Sequence, residues 1–185
     1  MSVAAIVLAA GGGTRFEGPT HKLVTEFRGR PLVIWAIEAA RGAVLDEVAV
    51  VTGAVQLDGL VPLDVVVIEN QNWVSGQASS LQMAVLWASG RGHDAVVVGL
   101  GDQPLVPSAA WAAVAATPSP VAVATFDGRR RPPVRLDHSV WNLLPTTGDE
   151  GARVLMRQRP DLVREVVCEG QPIDIDSKED RDRWS

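Results

Sequence analysis

"VAAIVLAAGGGTRF", residues 3–16, joins an apolar run to a turn almost free of bulky side chains. Residues 3–10 are apolar at every position, not at every second one. That is the mark of a strand covered on both faces, as in a parallel sheet between helices. The glycines that follow then sit at the carboxyl end of the strand, the edge where open parallel sheets bind ligands. Glycine there permits positive φ and lets successive N–H groups converge on an anion. Two common phosphate loops do not fit: the third glycine of GxGxxG would stand at Phe16, and no Lys-Ser/Thr pair follows Gly18 to complete GxxxxGK[ST]. The nearest cations come later, as Arg15 and Lys22. Spacing alone leaves two readings, a nucleotide-phosphate loop or a strand-to-helix turn with two solvated charges.

The opening pattern recurs along the chain. Val/Ile-rich runs at 47–53, 64–70, 94–102 and 120–126 alternate with helix-like stretches at 30–43, 79–89 and 108–117. This alternation predicts βαβ units in a Rossmann-like, doubly wound α/β domain with a mostly parallel sheet flanked by helices. Pro31 suits the first turn of the first helix, whose apolar face is Leu32, Trp35, Ile37 and Ala39. Ser79 or Ser80 suits the cap of the second, lined on one side by Leu81, Val85 and Leu86. Beyond residue 127 the pattern changes. "DGRRRPPVRL" carries Pro132 and Pro133, which argue for a turn or edge strand and against a buried one. Residues 137–160 read as two helices about a Pro-Thr-Thr-Gly loop, "VREVVCEG" as a strand, and "IDIDSKEDRDRW" as a strand end entering a short polar helix.

A length of 185 residues fits one domain with a full core. The net charge of -5 gives no general attraction to nucleic acid or an anionic membrane. The apolar start lacks a basic flank and breaks at glycines, too short to span a bilayer and unlike a signal peptide, so a cytoplasmic protein is expected. Cys168 is the single cysteine, which excludes an intramolecular disulfide and a Cys-based zinc cluster; it reads as a buried structural thiol. The tryptophans show no stacking pattern and read as packing anchors.

Four further stretches carry chemistry. In "VGLGDQP", 98–104, a buried strand ends in Asp102 at the same sheet edge as the glycines. The next helix begins near Pro107, too late for Asp102 to cap it, and a hard carboxylate oxygen at that edge suits Mg²⁺. Asp174 and Asp176 lie two apart, on one face if the segment is a strand. One of them could supply a second metal ligand, or both could favour the N-terminus of a helix capped by Ser177. "ENQNWVSGQASSLQ", 69–82, is a loop of amides and hydroxyls that could bind a base or ribose, or be a capped connection. Arg129 to Arg131 read as a solvated basic turn or as a site for an anionic substrate tail.

Taken in order, "LAAGGGTRF…HK", "GRPLV", "NxxWxxGQASSL", "GDQPLV", "TTGDEGAR" and "DIDSKED" resemble the molybdenum cofactor cytidylyltransferases, from residue 5 to about residue 182. These are nucleotidyltransferases with a glycosyltransferase-A-like fold, of nucleotide-diphospho-sugar transferase type. The resemblance implies one domain over 1–185, with 1–106 binding the nucleotide and 107–185 the acceptor. It implies that Leu8, Ala9, Ala10, Gly11, Gly12 and Gly13 wrap the nucleotide and that Arg15 and Lys22 meet the triphosphate. Asp102 would hold Mg²⁺, with Asp176 as second ligand, and Arg15, Lys22 and Asp102 would carry catalysis. Gly76 and Ser80, with Gln77 and Ser79, would lie near the nucleotide or the pterin.

The implied reaction is in-line attack by the phosphate of a molybdopterin-type cofactor on the α-phosphorus of CTP, with release of pyrophosphate. Ala10, where guanylyltransferase relatives tend to carry glycine, points to CTP. A molybdenum hydroxylase or its chaperone is the implied partner, with neither nucleic acid nor membrane among the partners. Two departures stand out. "EGPTH" lengthens the spacing from Arg15 to Lys22, which displaces the lysine unless the loop bulges, and Pro132 replaces a polar residue of the family pattern. The alternatives are a different phosphorylated acceptor, or a non-catalytic chaperone that binds the molybdenum cofactor.

Overall fold

The computed structural model describes residues 1–14, 16 and 20–185. β1 (Val3–Ala9) leads through the glycine loop to a small hairpin, β2 (Glu26–Phe27) and β3 (Arg30–Pro31). Then follow α1 (Leu32–Gly42), β4 (Glu47–Thr52), β5 (Val66–Glu69), α2 (Gln77–Gly90), β6 (Ala95–Leu100) and α3 (Ser108–Ala115). The chain ends with β7 (Val121–Phe126), β8 (Arg129–Asp137), α4 (Ala152–Gln158), β9 (Val163–Val167) and α5 (Lys178–Trp184). Among the described residues the main sheet has seven strands in the order β5-β4-β1-β6-β8-β7-β9. β5, β4, β1 and β6 are parallel, and β7 is parallel to β9, while β8 runs antiparallel to both of its neighbours. The expected mostly parallel α/β sheet is present.

β1 shows why every position of the opening run is apolar. Ala5, Val7 and Ala9 pack under α1 and α3 against Val33, Ile37, Trp111 and Val114. Ala4, Ile6 and Leu8 pack on the opposite face against Leu81 and Val85 of α2 and Leu155 of α4. A third, smaller cluster joins Phe27, Leu32 and Ile175 with Trp35 and Trp184, tying the hairpin and α5 to the start of α1. No helix among the described residues is long and apolar enough to cross a membrane.

Several expectations need correction. β8 is neither a turn nor an edge strand: it lies between β6 and β7, and Pro133 to Leu136 are buried. The prolines are tolerated because β8 pairs with β6 only from Val134 onward, and the ladder to β7 shifts register between Val123 and Ala124. Pro132 and Pro133 therefore occupy the bulge, where no ladder N–H is needed. A buried guanidinium, Arg135, fastens the strand by donating to the Ser119 carbonyl and, at 3.3 Å, to Asp137.

On α1 the buried face is Leu32, Val33, Ala36, Ile37 and Ala40; Trp35 and Ala39 are only half-buried. Trp35 instead donates its indole N–H to the Phe27 carbonyl at 2.8 Å. On α2, Leu86 is exposed, because the stripe continues through Ala84 and Ala88. Neither Ser79 nor Ser80 caps α2, since Gly76 stands at the N-cap and both serines lie buried in the first turn. Residues 138–143 form a 3₁₀ turn where a helix was expected. Cys168 is half-buried just beyond β9, and burial pushes its thiol pKa up. Asp174 and Asp176 lie outside the strands.

Candidate active site

β1 and β6 are in register, Leu8 opposite Leu100, and end side by side. Gly101 N–H returns to the Leu8 carbonyl at 2.9 Å, so the two loops leave the sheet at one point. The late acidic segment is fastened to the same point, because the Ile175 N–H donates to the Asp102 carbonyl at 3.0 Å. Ile175 is fully buried, and this anchors the aspartate on either side of it.

Lys22 lies in a short 3₁₀ turn, Lys22–Val24, and its Nζ reaches both carboxylates. It stands 2.7 Å from Asp102 Oδ2 and 2.9 Å from Asp176 Oδ1. Lys22 therefore reaches the carboxylate pair, while Glu17, Gly18 and Pro19 of the lengthened loop lie outside the described residues. Its side chain is 11% exposed, so the pair is screened from water far more than a surface pair. Burial works against the ammonium, yet the charges and hydrogen bonds of Asp102 and Asp176 outweigh it and hold the Lys22 pKa above the usual lysine value.

Asp174 turns elsewhere, accepting from Gln103 Nε2 at 2.8 Å. Burial, followed by the neighbouring charges of Asp102 and Asp176, raises its pKa despite the Gln103 hydrogen bond. The helix-cap duty falls to other groups. Ser177 and Asp180 form a reciprocal capping box at the start of α5, so neither Asp174 nor Asp176 caps the helix.

His21 braces the glycine loop. Its Nε2–H donates to the Gly11 carbonyl at 2.9 Å while Nδ1 accepts the Leu23 N–H at 3.2 Å. Burial, helped by the adjacent Lys22 charge and opposed by the hydrogen bond to Gly11, lowers the His21 pKa, and the two hydrogen bonds select the tautomer. Gly13 has φ +60, and a Cβ there would meet His21 Nε2 at 3.0 Å. At Gly12 a Cβ would meet the Trp73 ring at 3.0 Å. Gly11 has neither constraint: its φ is not positive and a Cβ would meet nothing within 4 Å.

Opposite this loop, Asn70 is buried and donates Nδ2 to Ser79 Oγ and Ser80 Oγ at 2.9 and 3.0 Å. The "TTGDEG" loop is clasped to Gly76 by two backbone bonds, Ala78 N–H to the Gly148 carbonyl and Gly148 N–H to the Ser75 carbonyl. Gly76 has φ +104, and a Cβ there would stand 2.5 Å from the Gly148 oxygen. Its glycine is demanded by this close approach.

These parts enclose a cavity of about 440 Å³. Leu8, Ala9, Ala10, Gly11, Gly12, Gly13, Lys22, Gly76, Ser80, Asp102 and Asp176 all line it, whereas Ser79 and Asp174, also nominated from the sequence, do not. Arg15 lies outside the described residues. Trp73, Val74 and Asp149 also line the cavity and were not singled out. Trp73 and Asp149 stand within the quoted "NxxWxxGQASSL" and "TTGDEGAR" stretches, the signal that was available for them.

Residues 5–163 match the model of the MobA-like NTP transferase domain. The chain belongs to this family. As a nucleotidyltransferase it has a full-length relative in the nicotine blue oxidoreductase of Paenarthrobacter nicotinovorans, 32% identical, with 96% of this chain and 93% of the relative covered. The crystal structure of Rv0371c from Mycobacterium tuberculosis H37Rv superposes with a TM-score of 0.80 at 28% identity, over 99% of this chain and 96% of that one. A structure of Rv0371c in complex with manganese superposes with a TM-score of 0.77 at 26% identity, over 100% of this chain and 98% of that one.

Proposed function

We propose that this nucleotidyltransferase moves CMP from CTP to the phosphate of a molybdopterin-type cofactor in the cytoplasm, with Mg²⁺ as cofactor and pyrophosphate as the second product. The observation that carries the reading is the meeting of Lys22, Asp102 and Asp176 at the mouth of the glycine-walled cavity. Gly11 supports it. Neither its own backbone nor any neighbouring protein atom requires glycine, as expected if the space beside it belongs to a ligand. Trp73 and the Asn70–Ser80 network form the opposite wall, suited to base and ribose.

The donor set fits a magnesium ion. Asp102 and Asp176 bring two hard oxygens to one point, which the Lys22 ammonium already occupies as a stand-in cation. Among the described residues no cluster of three or more His, Cys, Asp or Glu groups could hold a metal. A two-carboxylate site matches the habit of Mg²⁺, which completes its octahedron with water and phosphate oxygens. When bound, the ion supplies charge neutralisation to the phosphates. The manganese in the Rv0371c structure accords with divalent chemistry in this family.

Asp102 and Asp176 would hold the ion, and the Lys22 ammonium beside them would then be available to the triphosphate. Arg15 is assigned to the same anion. The loop of Leu8 to Gly13 orients the nucleotide so that an acceptor oxygen faces the α-phosphorus. A new P–O bond forms to that phosphorus as the α–β bridge breaks, and pyrophosphate leaves with the bonding electrons. The attacking phosphate is already anionic, so no strong general base is needed, and alignment and charge neutralisation carry the rate. The product then passes to a molybdenum hydroxylase or its chaperone.

The full-length likeness to a nicotine blue oxidoreductase favours one other reading, turnover of nicotine blue in the same cavity. One experiment separates them: the protein is incubated with Mg²⁺, molybdopterin cofactor and each nucleoside triphosphate in turn, and pyrophosphate is measured. Release with CTP alone is expected, falling at least a hundredfold in Asp102→Asn, the scale of losing a charge-stabilising group. Native turnover by Asp102→Asn would refute the site assignment. Cofactor binding without pyrophosphate in any mixture supports the chaperone alternative; in a parallel incubation with nicotine blue and a reduced nicotinamide nucleotide as two-electron donor, loss of the dye's absorbance supports the second reading.

A further inference from the structure

Among the described residues, three line two cavities at once. Leu8 near the end of β1, Leu100 at the end of β6 and Gln77 at the start of α2 line the cavity described above. They also line a second, of about 350 Å³, that adjoins it. Two of the three are leucines, so Gln77 supplies the polar side chain of this shared wall. It is half-buried, and its amide makes no hydrogen bond to a described residue. A glutamine amide brings two N–H donors and an acceptor oxygen, and no charge.

The surroundings hold this amide in place. The backbone is fastened on either side of it, Gly76 N–H to the Trp73 carbonyl at 3.1 Å and Ala78 N–H to the Gly148 carbonyl at 2.9 Å. Gly151 lies directly against the side chain: a Cβ there would stand 3.3 Å from Gln77 Cδ and 3.5 Å from Oε1. Glycine at 151 thus leaves the amide its room, with Oε1 nearer to that position than Nε2. On the same loop Asp149 lines the first cavity and Glu150 the second, so the loop spans the two cavities where Gln77 does.

We propose that Gln77 is a catalytic residue whose side-chain N–H donates to a non-bridging oxygen of the nucleotide's α-phosphate. This deepens the reading above and rests on it for the nucleotide's place. In an in-line transfer the attacking oxygen approaches the α-phosphorus from the side opposite the departing pyrophosphate. That phosphorus must therefore lie where the nucleotide's cavity opens onto neighbouring space, which is the wall of Leu8, Gln77 and Leu100. Against the two leucines alone, the phosphate oxygens would lose water and gain no partner. The Gln77 N–H supplies one. No proton changes hands: the donor orients the α-phosphate and takes up part of its charge while the P–O bonds exchange. A neutral donor suits a point where two anions meet, whereas a carboxylate there would repel both.

The whole chain, labelled with ¹⁵N and supplied with Mg²⁺, is titrated with CMP and separately with cytidine, and the Gln77 side-chain N–H signals are followed by NMR. They are expected to shift downfield with CMP and to stay in place with cytidine, which lacks the phosphate. The gain in affinity from cytidine to CMP is expected to shrink about tenfold in Gln77→Met, which keeps the length and removes the donors, and further in Gln77→Glu. AMP, GMP and UMP are compared with their nucleosides in the same way. Gln77 signals unmoved by all four monophosphates overturn the proposal, and the native spectra alone decide this if a variant does not fold. An undiminished phosphate gain in a Gln77→Met protein of native melting midpoint overturns it equally. A Gln77 response to another monophosphate in place of CMP upholds the proposal and refutes only the choice of CTP. Pyrophosphate release plays no part in the readout, so failure of the proposed transfer is seen separately.

Discussion

Lys22 holds by its own charge the two carboxylates that a divalent ion would need. Nζ lies within 3 Å of an oxygen of each, so ion and ammonium cannot both occupy the point between them. Removing the ammonium while keeping the side-chain bulk should therefore favour the metal. Without nucleotide, Lys22→Met is expected to bind Mn²⁺ at least tenfold more tightly than the native protein by calorimetric titration, while losing pyrophosphate release. Unchanged or weaker Mn²⁺ binding would show that lysine and metal do not share the position. This arrangement was partly legible: the residue types and their edge of the sheet could be read from the run of glycines and from Asp102 closing a buried strand. That the lysine bonds the aspartates was not, because nothing local in residues 20–25 says which way a long side chain turns.

At the scale of elements, the site depends on a junction between α2 and the loop before α4. Gly76 lets the Gly148 carbonyl approach closely enough to accept from Ala78, and that places Asp149 on the cavity wall. Gly76→Ala adds backbone strain at a φ of +104 and a clash with the Gly148 oxygen. A loss of about 2–4 kcal/mol is expected in chemical denaturation, with weaker nucleotide binding by calorimetry. A native denaturation midpoint with native CTP affinity would show that the clasp is dispensable. Contacts of this kind are invisible to periodicity, since their partners lie far apart in the chain.

β8 illustrates a different difficulty. Asp127 and Gly128 both have positive φ, the Asp-Gly pairing of a tight hairpin turn, and this signal was present in the sequence. Two prolines outweighed it, because only the register shift beside Val123 reveals that they fall outside the ladder. By contrast, β1, β4, β6 and β7 were readable at once, since strands buried on both faces leave unbroken Val/Ile runs.

Across the whole molecule, the division at residue 106 into nucleotide and acceptor stretches cuts through a single sheet. β6 ends before that boundary and pairs along its outer side with β8, which comes after it. The core on both faces likewise draws on both stretches, with Val97 beside Trp111 on one face and Leu8 beside Leu155 on the other. A fragment of residues 1–106 would expose the β6 edge and both apolar faces, so it is expected to show neither a dispersed NMR spectrum nor a cooperative melt. Independent, cooperative folding of that fragment would show that the two stretches are separate domains. The cavity at the strand ends is lined by Leu8 and Leu100 of neighbouring strands and by Asp149 and Asp176 from beyond residue 106, so it is a property of the intact sheet.

The reversed direction of β8 has a consequence for how such a protein diversifies. Because the strand runs against its neighbours, its first residues, Arg129 to Arg131, begin at the edge where the other strands end. They extend past the point where β6 pairs, held only by β7. Recharging that fingertip changes the groups presented at this edge and leaves the rungs of Arg129 to Arg131 on β7 in place. A lineage can thus change the charge presented at this edge through one hairpin tip while the backbone ladder stays as it is.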